Sequence, residues 1–141
     1  DTMIRRLQTP PISLSASLVE SMDVVLIMSH GKISGEEARR ISEVDEIIKV
    51  QDNGNASVSK PFVWDPSRDT YISNPDSYVF NKIIARYGIS MQEVTREFNL
   101  RTQVLIGMYN SGIFEFKDVK KVINEYYKDP VSVLRKFHII K

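Results

Sequence analysis

The segment LVESMDVVLIMSHGKISGEEARRISEVDE, residues 18–46, decides how the rest of the chain is read. Its centre, Val24-Val25-Leu26-Ile27-Met28, is a continuous apolar run with β-branched residues, the pattern of a strand covered on both faces. Ser29-His30-Gly31-Lys32 reads as a turn. Beyond it, Ala38, Ile41, Val44, Ile47 and Ile48 recur at three- and four-residue spacing, so local periodicity alone favours an amphipathic helix over residues 36–50.

Upstream, residues 1–7 carry Met3, Ile4 and Leu7 on one helical face with Arg5 and Arg6 at its edge. Thr9-Pro10-Pro11 stops that helix, because successive prolines remove N–H donors and push the preceding residue to extended geometry. Ser13 is the expected N-cap of a short helix running to Met22, with Leu14, Leu18 and Val19 on one side. Downstream, Asp52-Asn53-Gly54-Asn55 is a turn cluster, and residues 58–64 and 70–72 read as a hairpin closed by Asp65-Pro66-Ser67-Arg68-Asp69. From Asp76 or Ser77 the period becomes helical. One helix buries Val79, Phe80, Ile83 and Ile84 and ends at Gly88. A second starts at the Ser90/Glu93 capping box and runs to Asn110 with Val94, Phe98, Leu105 and Met108 near one face. A third covers residues 116–127 with Val119, Val122, Ile123 and Tyr126 inward, and Asp129-Pro130 opens a last short one over residues 131–137.

A chain of 141 residues, 42% apolar and 26% charged, has the composition of an ordinary globular protein. Nineteen Lys and Arg against 18 Asp and Glu leave a formal charge of +1, which gives no bulk attraction for nucleic acid or anionic lipid. Cysteine is absent, which excludes disulfides and thiolate metal sites. No apolar run approaches the ~20 residues that cross a bilayer as a helix. The opening DTMIRRL reads as the inside of a helix and begins without Met, so we expect a piece of a longer protein.

The residues able to carry chemistry are few. Arg39 and Arg40 offer planar donor forks suited to phosphate or carboxylate; the plainer alternative is a solvated strand with ion pairs to Glu43 or Glu46. Arg5 and Arg6 pose the same choice. His30 and His138 stand far apart without metal-ligand neighbours. Glu43, Asp45 and Glu46 read as a solvated acidic face. Trp64, near Phe62 and Tyr71 of the hairpin, is a packing anchor, as are Tyr126 and Tyr127 in the helical tail. Residues 89–113 superficially read as two helices around a polar middle, a winged-helix-like nucleic-acid-binding module. Over residues 61–141 the signs are mixed, Arg96 beside Glu97 and Lys117 beside Asp118, and supply no basic recognition face.

Taken together, RRLQTPPISLSASLVESMDVVLIM, ARRISEVDEI, FVWDPSRDTYI and the tail EYYKDPVSVLRKF resemble the C-terminal end of an archaeal secretion ATPase of the type II/type IV family, motors of pilus and archaellum assembly. The resemblance covers essentially the whole chain with order and spacing kept. It implies an α+β fold: residues 1–73 as the end of a RecA-like motor domain with a β-hairpin, and residues 74–141 as a helical C-terminal layer. It also reverses the periodicity, making residues 39–48 a strand beside residues 24–28. The implied parent is a cytoplasmic hexamer, peripheral at the membrane, that uses ATP and Mg and acts on a membrane platform protein. The phosphate loop, Walker B and His box lie outside these residues, and no G-x-x-x-x-G-K-[ST] occurs in them. The resemblance therefore implies no cofactor and no catalysis in this chain alone, with Arg39, Arg40, Arg5 and Arg6 as nucleotide or subunit-interface residues. An apolar sheet edge left at residues 24–28 would favour a dimer. The helical tail either contacts a partner or merely covers an apolar face.

Overall fold

In the computed structural model, which describes residues 2–33, 36–74 and 76–141, the decisive segment forms two long antiparallel strands: β1 (Val24–Ile33) and β2 (Glu36–Val50). They continue through β3 (Ala56–Asp65) and β4 (Thr70–Ser73) into a four-stranded meander in the order β1-β2-β3-β4. The fold is α+β. The expected start of the first helix at Asp1 lies outside the described residues.

The helical periodicity of residues 36–50 yields to strand pairing for a physical reason. Between β1 and β2 the register steps from Ile27↔Glu43 to Met28↔Ile41, so Ser42 is an extra residue, and its Oγ donates to the Ile27 carbonyl at 3.0 Å. Such a bulge inserts one residue into a period of two, which puts Ile41 and Val44 at the three-residue spacing that imitates a helix. Two further expectations fail alongside it. Residues 29–32 are not a turn but the continuation of β1. Nor is the apolar run covered on both faces: β1 is an edge strand, and Leu26 and Met28 are 55% and 60% exposed.

The chain folds as two compact units, Asp1–Arg86 and Tyr87–Lys141. In the first, α1 (Thr2–Gln8) and α2 (Ala16–Glu20) close one small core in which Ile4, Val19, Ile47 and Val50 are buried. The N-cap of α2 is Ser15, whose Oγ accepts from the Leu18 N–H at 3.3 Å, and not Ser13, which takes a positive φ of 53°. Glu20 ties this helix to the sheet by accepting from the Val50 N–H at 2.7 Å. A further helix, α3 (Tyr78–Tyr87), belongs to the same unit up to Arg86. Its apolar residues Val79, Phe80, Ile83 and Ile84 are half-buried, not buried as their spacing suggests.

What anchors α3 is Glu46, only 4% exposed. Its side chain accepts from Ser77 Oγ and from the Tyr78 N–H, both at 2.6 Å, and from the Val79 N–H at 3.3 Å. A helix N-terminus has N–H groups without intrahelical partners, and here a strand side chain satisfies them. Because Glu46 pairs in register with Val24, and Lys82 of α3 reaches Asp23, the helix is pinned where β1 and β2 meet.

The second unit is three helices: α4 (Met91–Asn110), α5 (Phe116–Lys128) and α6 (Pro130–Lys136). Both expected starts are realised, the Ser90/Glu93 capping box on α4 and Asp129 accepting from the Ser132 N–H on α6. Val104, Met108, Val122, Tyr126, Val133 and Leu134 form the core. Phe98, Leu105 and Ile123, expected inward, are exposed. Gly107 allows the close approach of Phe137, since a Cβ there would lie 2.8 Å from its ring. The two-helix reading of residues 89–113 fails, because Met91–Asn110 is one uninterrupted helix.

Removing the buried cap should be costly. Glu46→Ala leaves the donors of Ser77, Tyr78 and Val79 unsatisfied, and we expect a loss of about 2–4 kcal/mol in urea unfolding, with Glu46→Gln losing less. A loss below about 0.5 kcal/mol for Glu46→Ala would show that α3 does not depend on this cap.

Candidate functional site

Of the four arginines singled out by sequence, Arg40 is held most firmly. Its Nε and Nη2 donate to the two carboxylate oxygens of Asp69 at 2.9 and 3.0 Å, and Nη1 donates to the Arg39 carbonyl at 3.0 Å. This two-pronged pairing is the geometry guanidinium and carboxylate favour. Trp64, which faces Tyr71 in the β3–β4 register, donates its indole N–H to Asp69 Oδ1 at 3.0 Å. Asp69, read from sequence only as a turn residue, therefore gathers β2 and both ends of the hairpin onto one carboxylate. Hydrogen bonding from Arg40 first, and from Trp64 second, holds that carboxyl below its ordinary range.

The remaining arginines lie elsewhere. Arg39 is exposed, one residue from Arg40 on a strand whose successive side chains alternate faces. Arg5 reaches Asn55 Oδ1 at 3.4 Å, and its stem packs so closely on Gly54 that a Cβ there would lie 2.3 Å from Arg5 Cγ. Gly54 has a φ of +83°, so glycine is doubly required. Arg6 is exposed in the last turn of α1. Among the described residues the Arg6 and Arg39 guanidinium groups have no ion pair, and the four arginines do not form one anion site. The expected pairing of Arg39 or Arg40 with Glu43 or Glu46 is replaced by Arg40–Asp69, because Glu46 caps α3 and Glu43 contacts Lys60.

Nor is the acidic run a solvated face. Asp45 is half-buried, its Oδ1 has no hydrogen-bond partner, and Lys60 Nζ stands 3.9 Å away. Burial raises the Asp45 carboxyl above its ordinary range, with Lys60 acting against the shift and Glu43 adding to it. The neighbouring Glu43 holds Lys60 in the charged form by hydrogen bonding. Asp45 and Lys60 line an open depression on the sheet together with Met3, Leu26 and Met28. Among the described residues no group of three or more metal-ligating side chains comes together.

In the helical unit the two tyrosines separate. Tyr126 is buried and donates to Glu97 Oε1 at 3.0 Å; burial first, then this bond, raises its phenol above the ordinary range. Tyr127 is 70% exposed, so it is not the packing anchor its sequence position suggests. The Arg101 guanidinium, which sequence reading left without a structural role, stands 5.6 Å from the Tyr127 ring centre and 6.0 Å from that of Tyr126, and bonds Glu97 at 2.9 Å. The i, i+4 spacing of Glu97 and Arg101 was the available signal.

No family model matches the chain. It is 24% identical over 131 residues to the uncharacterized protein MJ1287 of Methanocaldococcus jannaschii, covering 91% of this chain and 48% of that one. Two further uncharacterized proteins of that organism are similar: MJ0900, 25% identical over 131 residues (89% of this chain, 24% of the relative), and MJ0781, 23% identical over 136 residues (96% and 19%). The chain thus spans less than half the length of each of these relatives.

The two carboxyls should respond to pH with opposite signs. Asp69, held low in the fold, contributes stability that is present above the unfolded carboxyl range and lost as pH falls through its folded value, so Asp69→Asn should lower Tm at pH 7 and cost progressively less as pH falls below the ordinary carboxyl range. Asp45, held high, disfavours the fold once ionised, so Asp45→Asn should raise Tm at pH 7, with the gain fading toward pH 3. Thermal melts across that range check both signs; a Tm lowered by Asp45→Asn at pH 7 would contradict the burial argument.

Proposed function

We propose that this chain is the C-terminal portion of an archaeal secretion ATPase of the type II/type IV family, in which residues 1–86 finish the sheet of a RecA-like motor and residues 87–141 form a helical layer that carries movement to the assembly machinery. The observation that supports this most is the state of β1. It is a ten-residue strand, paired on one side only, with no charged residue from Val24 to Gly31. Protein edges are ordinarily protected by charge, proline or brevity, and an edge without those devices is built to receive another strand. In the proposed parent that strand comes from the rest of the motor sheet; for the chain alone, a second copy offers the same edge.

The arginines then divide by role. Arg40 braces β2 to the β3–β4 hairpin through Asp69, so a push on the hairpin is passed to the strand. Arg39 and Arg6, whose guanidinium groups are exposed, are the ones presented to a neighbouring subunit of the hexamer. No glycine-rich phosphate loop occurs in these residues, so in this reading ATP and Mg belong to the rest of the parent. No catalytic step is therefore assigned to this chain. The membrane platform, the hexamer and the cytoplasmic face of the membrane belong to the proposed parent; in this chain no described helix is long and apolar enough to cross a membrane.

Two measurements test this reading. The purified chain should hydrolyse no ATP above a contaminant control, and turnover would overturn the division of labour. The gene upstream of the codon for Asp1 should encode a phosphate loop and a His box; an upstream sequence without them would remove the motor assignment.

A further inference from the structure

A recessed apolar socket of about 180 Å³ opens between α4 and α5. Its floor is the helical core itself, Val104, Met108 and Tyr126, while Leu105, Ile123 and Tyr127 stand around it as exposed walls. Both helices extend these walls along their length: Leu105 and Tyr109 lie one turn apart on α4, and Phe116, Ile123 and Tyr127 recur at helical spacing on α5, all of them exposed. Each helix therefore carries two apolar stripes, one spent on the core and one facing out. An apolar strip of this extent on a small unit marks an interaction surface.

Charge narrows the occupant. Arg101 borders the socket with its guanidinium over the Tyr126 and Tyr127 rings and its side chain half-exposed, and Lys120 falls on the same stripe of α5 as Ile123 and Tyr127. Glu97 bonds Arg101 Nε and Tyr126, so that pair is locally balanced, whereas the exposed Lys120 has no ion pair among the described residues. Residues 87–141 as a whole hold nine Lys and Arg against six Asp and Glu. A concave socket takes a projecting side chain, as an amphipathic helix supplies, whereas a bilayer would be entered by a protruding tip.

We infer that the α4–α5 groove is the docking site for an amphipathic helix of a partner protein, which seats a bulky apolar side chain in the socket and sets acidic residues against Arg101 and Lys120. The site works by hot-spot logic: one buried anchor supplies most of the affinity, and the charged rim selects the partner. This goes beyond the motor reading and does not rest on it, since the groove is a property of the helical unit whatever the chain's larger role.

The test is selection of a phage-displayed random peptide library on the whole 141-residue chain. Enriched peptides should carry large apolar residues at helical spacing flanked by Asp or Glu. Their synthetic versions should bind the double variant Leu105→Glu/Ile123→Glu at least about tenfold more weakly. Both positions are exposed, so the variant should keep the parent's Tm and helix content. Lys120→Glu should weaken the acidic peptides and spare versions in which their acids are replaced by lysine. The inference is overturned by no enrichment above a bare-support control, by enrichment of basic or extended peptides, or by unchanged binding to the double variant. Co-pelleting with anionic phospholipid vesicles that the double variant abolishes would assign the stripe to a bilayer instead.

Discussion

The hydrogen-bonded ladders on both sides of β2 are the constraint on which the first unit depends. A strand held by β1 over residues 36–46 and by β3 over residues 43–50 must present its side chains where those neighbours fix them, and the other elements of the unit attach to what β2 displays. Ile47 and Val50 face α1 and α2 and form the small core. Glu46 turns toward α3 and holds its first turn. Arg40 reaches the hairpin through Asp69. β1 is paired on one side only along its whole length and forms the long rim of the sheet.

The core of this unit is small, four buried side chains with partly buried neighbours, and a core of that size leaves several apolar residues of β1 in contact with solvent. The helical unit is different. Its core is continuous across three helices, yet α4 and α5 are amphipathic in two directions, so a satisfied interior coexists with an apolar exterior. The two units thus present two kinds of exposed apolar surface: the one-sided edge strand β1 and the hollow bordered by Leu105, Ile123 and Tyr127.

How much of this the sequence displays depends on the range of the interaction. Helix ends are local chemistry, and Ser90/Glu93 and Asp129-Pro130 are readable directly. The hairpin is also readable, since its turn residues stand between β-branched and aromatic runs. The β2 strand is not, because the bulge at Ser42 and a second register step between Ile47 and Lys49 shift the phase of its apolar residues to imitate a helix, and only the wider resemblance corrects it. Glu46 and Asp69 are invisible for another reason: each acts on residues far along the chain, and within its own neighbourhood each looks like one more surface acid. The apolar run of β1 misleads in the opposite direction, since five consecutive apolar residues read as a covered strand whether or not the fold covers them. Tyr127, Leu105 and Ile123 sit beside true core positions on their helices, so periodicity alone does not tell the inner stripe from the outer one.

The central claim, that β1 is an edge made to receive a further strand of a larger sheet, is open to a residue-resolved measurement. Amide hydrogen exchange should be followed along β1 in this chain at concentrations low enough to keep it monomeric, and in the complete protein. The account predicts that alternate amides from Val24 to Gly31, those not bonded to β2, exchange quickly in the isolated chain and become strongly protected in the complete protein. Equally rapid exchange of those amides in both would contradict it.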